Sequence, residues 1–64
     1  MLRLLQFLRH AMNHTESEYI KAGYLFEQGK TAADTLRRMI ESEKIEDRAE
    51  ARRLIEIGRQ EARQ

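Results

Sequence analysis

The chain has no cysteine and no proline, only three glycines among 64 residues, and only four aromatic side chains, two Tyr and two Phe. Without cysteine there can be neither a disulfide nor a thiolate zinc site. Without proline, and with heavy use of Ala, Leu, Glu, Arg, Lys and Gln, the composition favours helix throughout. A surplus of one charge sign is missing too: twelve Lys and Arg stand against eleven Asp and Glu. Residues 1–32 carry four basic and three acidic groups and residues 33–64 eight of each, so a case for nucleic acid must rest on local patches. A long hydrophobic run is also lacking. The apolar pattern at the N-terminus covers too few residues to span a bilayer, which needs roughly 20. Arg9 interrupts that pattern and no small-residue cleavage site follows it, which argues against a secretory signal. A cytoplasmic location is the expectation.

Sixty-four residues make one domain, 1–64, and a chain of this size buries only about 60% of the surface its unfolded form exposes. With disulfides and metals set aside, the expected support is oligomerisation or folding onto a partner. The expected fold is all-α: a small bundle of three to four short helices at about 2–13, 16–28, 32–42 and 48–62, with a helix hairpin at 16–42.

In the first segment Leu4, Leu5 and Leu8 share one helical face with Met1 and Met12. That face can be covered by the chain's own core or a dimer, by a partner's groove, or, least favoured, by a membrane surface. Thr15 followed by Glu18 has the spacing of a capping box, and the helix it opens centres its buried face on Tyr19, Ala22, Gly23 and Phe26. Tyr24 and Leu25 fall on either side, so this helix is apolar beyond one stripe. Gly29 has the character of a left-handed helix stop. Thr31 with Asp34 repeats the capping spacing and opens a helix facing inward through Ala33, Leu36 and Ile40. Between 41 and 48 the stripe lapses, because Glu43, Lys44 and Asp47 take the positions that would continue it. Asp47 to Glu50 has capping spacing again, which places a turn near 43–47 and a last helix with Ala51, Leu54, Ile55, Gly58 and Ala62 inside; one long helix is the alternative.

Leu25, Gly29 and Thr31, followed by Leu36 and Met39, resemble the first part of a helix-turn-helix DNA-binding motif. The resemblance implies that Ala32, Ala33 and Thr35 face the groove and that Arg37 and Arg38 contact phosphates. Lys30 and Thr35 stand where that motif usually has aliphatic residues, and the two Ala offer no base-reading hydrogen bonds. The spacing of Tyr19, Ala22, Gly23 and Phe26 is also similar to one tetratricopeptide helix pair, although no second repeat follows.

No catalytic constellation, phosphate loop or cofactor motif can be assembled, so the expectation is a non-enzyme without metal or cofactor. His10 and His14 have a metal-compatible spacing, but the Glu of the zinc-protease motif is absent between them. Arg48, Arg52, Arg59 and Arg63 line one edge of the last helix and, with Arg37 and Arg38, are the candidates for phosphate or acidic-partner contact. Leu4, Leu5, Leu8, Tyr19, Tyr24, Leu25 and Phe26 are the candidate partner or dimer anchors. The expected function is a protein–protein interaction module: a homodimeric regulator or inhibitor that occludes a larger protein, by analogy with small bacterial and phage regulators. The alternative is a nucleic-acid-binding regulator with a degenerate helix-turn-helix at 19–40.

Overall fold

A computed structural model describes residues 12–64, and these form three helices: α1, Glu16–Glu27; α2, Ala33–Glu41; and α3, Ile45–Arg63. No strand occurs among the described residues. The leucine face expected at 2–13 lies outside them, apart from Met12 and Asn13, which are not helical.

The start and stop of α1 follow from local chemistry. Thr15 Oγ1 accepts from the Glu18 N–H at 3.1 Å, and Glu18 Oε1 accepts from the Thr15 N–H at 2.7 Å, which is the expected capping box. At the other end Gly29 takes φ +77°, its N–H donates to Phe26 O, and the Lys30 N–H donates to Leu25 O. These are the two bonds of a Schellman stop, which needs a residue that enters the left-handed region without strain.

The two later starts differ from expectation. α2 begins one residue after the expected 32, at Ala33, with Ala32 as N-cap and no side-chain capping bond. The Thr31–Asp34 box does not form. Asp34, already inside the helix, is taken by Arg37 and Arg38 instead. α3 begins at Ile45 rather than 48, with Lys44 as N-cap, so the Asp47–Glu50 pattern lies within the helix and Glu50 pairs with Arg53. The break between α2 and α3 covers 42–44, and two side chains hold it where neither Gly nor Pro does. Glu43 turns inward, and Arg48 donates from Nε to Glu43 O and from Nη2 to Glu41 O, both at 3.1 Å. A cation on the last carbonyls of α2 both satisfies them and opposes the helix dipole.

α1 and α3 run in the same sense with α2 as the return. Glu43, just ahead of α3, binds the residues just ahead of α1, while Glu27 at the end of α1 meets Arg59 and Arg63. Their crossing is close because each presents a glycine. A Cβ on Gly23 would overlap the Ile55 carbonyl, and one on Gly58 would overlap the Ile20 carbonyl and stand 2.8 Å from the Tyr24 nitrogen. Around the crossing lies the core of Tyr19, Ala22, Leu36, Ala51, Leu54 and Ile55, with Met39, Ile40 and Ile57 partly buried against it.

Candidate interaction surfaces

Tyr19 is 0% exposed, so among the candidate anchors it belongs to the chain's own core. Its hydroxyl reaches the end of α2, donating to Glu43 Oε2 at 2.6 Å with Met39 O at 2.9 Å. A phenol has one proton, and the charged, closer carboxylate is the stronger acceptor. Glu43 is 4% exposed and also accepts from the backbone N–H groups of Asn13 (3.0 Å) and His14 (3.1 Å). Burial pushes the Tyr19 hydroxyl well above its ordinary range, and the Glu43 carboxylate adds to the shift. For Glu43 burial works against ionisation, but the Tyr19 hydroxyl and the two backbone N–H groups prevail and hold it below the ordinary carboxylate value. The Asn13 side chain donates to Ser42 O, and the His14 ring meets Tyr19 edge-on at 5.5 Å. The arrangement ties the segment entering α1 to the α2–α3 turn.

The outward side of α1 is only partly covered. Tyr24 is 39% exposed, and Leu25 and Phe26 are half-buried. The Arg59 guanidinium lies over the Phe26 ring at 5.0 Å and donates from Nε to Glu27 Oε1 at 2.9 Å. Arg63 Nε donates to Glu27 Oε2 at 3.0 Å. These two hydrogen bonds, Arg63 first, hold the Glu27 carboxyl below its usual range. Leu4, Leu5 and Leu8 lie outside the described residues, as does His10.

The six candidate arginines do not form one surface. Arg59 and Arg63 close on Glu27 and Glu56, while Arg37 and Arg38 close on Asp34, and Arg37 also on Glu41. Arg48 is bound to carbonyls, and Arg52 is exposed. Ala32, Ala33 and Thr35, which the helix-turn-helix resemblance turns toward a DNA groove, are all exposed. Between α2 and α3 runs an open groove of about 360 Å³, floored by Ala33, Leu36 and Ile40 and rimmed by Arg48, Arg52 and the mutually paired Arg37 and Glu41.

Two residues that matter here escaped the sequence reading. Glu43 showed only as an acid interrupting the Leu36–Ile40 stripe, which marks a turn as readily as a buried carboxylate. Glu27 carried no local signal, because its partners lie 32 and 36 residues away. Among the described residues no helix is long and apolar enough to cross a membrane, and no group of three or more His, Cys, Asp or Glu is placed to hold a metal ion. No family model, no characterised protein and no solved structure matches this chain.

Proposed function

We propose that this chain is a small helical protein–protein interaction module, a homodimeric regulator that works by occluding a surface of a larger protein. The observation that carries the reading is that α1 is apolar beyond the face it buries and that Tyr24 stays exposed among the described residues. Tyr19, Ala22 and Gly23 are buried inward, while Tyr24 remains 39% exposed beside half-buried Leu25 and Phe26. Aromatic side chains left open in this way bring large contact area at low conformational cost, as binding anchors do. The sequence adds three more leucines, at 4, 5 and 8, to a chain with few buried residues to spare. A binding role rather than a catalytic one also fits a surface built of helix faces.

The nucleic-acid reading has less behind it. Five of the seven arginines in the described residues pair with carboxylates of the same chain, which lowers the charge they would offer to phosphates.

Light scattering at micromolar concentration tests the dimer. The expected result is twice the chain mass for the parent protein, and a monomer with unchanged helical spectrum for Tyr24→Glu. A parent chain that is monomeric and fully helical would overturn the dimer.

A further inference from the structure

We propose that the groove between α2 and α3 is a docking site for an acidic amphipathic helix of a partner protein; this rests on the interaction-module reading and names the partner's chemistry. The groove floor is apolar, supplied by Leu36 and the half-buried Ile40. α2, which forms one wall, has nine residues and extends about 14 Å, or about two and a half helical turns.

The rim fixes the charge of the occupant. Seven arginines fall in the described residues, and Arg37, Arg38, Arg53, Arg59 and Arg63 each make an ion pair. Among the described residues Arg48 and Arg52 are the two without a carboxylate partner, and both line this groove. Residues 1–11 contain no Asp or Glu, so no carboxylate from that segment completes them. Arg48 is held at the groove by the Glu43 and Glu41 carbonyls, which fix its position without neutralising its charge. Arg52, one turn further along α3, is exposed. Two uncompensated guanidinium groups beside an apolar floor complement a helix with a hydrophobic stripe and carboxylates on its flank, spaced three or four residues apart.

Other occupants fit less well. Residues 1–11 bring Arg3 and Arg9, which would repel the rim. A second copy offers Glu46 and Asp47 beside the exposed Ile45, but that is a single apolar side chain rather than a stripe that could cover the groove floor.

The test is fluorescence anisotropy on the full chain with three labelled peptides of about fourteen residues. The first has Leu at i, i+3, i+4 and i+7 with Glu along the flanks, the second is its scramble, and the third carries Lys in place of Glu. The first alone is expected to bind. Arg52→Glu, on an exposed face, should weaken it about tenfold, a change equal to about 1.4 kcal/mol, and should gain binding to the Lys peptide. Equal binding of the scramble, an unchanged affinity in Arg52→Glu, or preference for a fatty-acid anion over every peptide would overturn the proposal. Failure of the peptide with Tyr24-dependent dimerisation intact removes this inference alone. Failure of both removes the interaction reading beneath it.

Discussion

Three donors converge on the Glu43 carboxylate: the Tyr19 hydroxyl and the backbone N–H groups of Asn13 and His14. None of the three has an equivalent acceptor nearby once Glu43 is lost, except that the hydroxyl also lies near Met39 O. Glu43→Ala therefore removes the acceptor of two part-buried backbone N–H groups and the stronger acceptor of the buried Tyr19 hydroxyl, and is expected to cost roughly 1–3 kcal/mol in urea unfolding at neutral pH. The pH dependence has a definite sign. The folded carboxyl is held below its unfolded value of about 4.5, so its contribution is complete above that pH and fades as pH falls through the lower, folded value. The gap in stability between the parent and Glu43→Gln should accordingly be constant from pH 7 to about 5 and narrow below pH 4.5. A gap that widens on acidification would reverse the assignment. Residues such as Thr15, Glu18 and Gly29 could be placed from sequence because their partners are at most four positions away. Glu43 could not, because its acceptor role depends on residues 24 to 30 positions distant.

At the scale of the helices, the α1–α3 crossing is set by two glycines that each face a carbonyl of the other helix. Glycine within a helix costs about 1 kcal/mol against alanine, so Gly58→Ala would stabilise the protein if the helices stood at an ordinary distance. Here the obstructing atoms are backbone, the Ile20 carbonyl and the Tyr24 nitrogen, and they cannot rotate away. The expected outcome is a net loss of roughly 1–3 kcal/mol, read as a lower thermal midpoint, with an m-value that shows whether the helices part. In the sequence this approach is visible as small residues on the inward faces, Ala51 and Gly58 on α3 and Ala22 and Gly23 on α1. Helix starts were less legible. The patterns Thr31–Asp34 and Asp47–Glu50 have capping spacing, but Arg37, Arg38 and Arg53 compete for those carboxylates and the helices begin elsewhere. A capping pattern records what a side chain can do. Tertiary contacts decide whether the backbone stops there to use it.

For the molecule as a whole, the ion pairs are distributed by function. Glu27 with Arg59 and Arg63 bolts the far ends of α1 and α3 together, while the pairs on α2 and along α3 stay within one helix. Exposed pairs of this kind add little stability, and among the seven arginines of the described residues they neutralise five and leave Arg48 and Arg52. The Glu43 tie has a mechanical meaning as well. It fastens Asn13 and His14 across 30 and 29 residues of chain, so a load applied ahead of residue 12 does not first unwind α1. It passes into the α2–α3 turn and, through Arg48, into the start of α3. A partner gripping the N-terminus would hold the molecule by its longest helix. The signature is in hydrogen exchange: the amides of Asn13 and His14, although they lie ahead of α1 and outside its hydrogen-bond ladder, are expected to be protected beyond other amides outside the helices. In Glu43→Gln they should speed up while the centre of α3 stays protected.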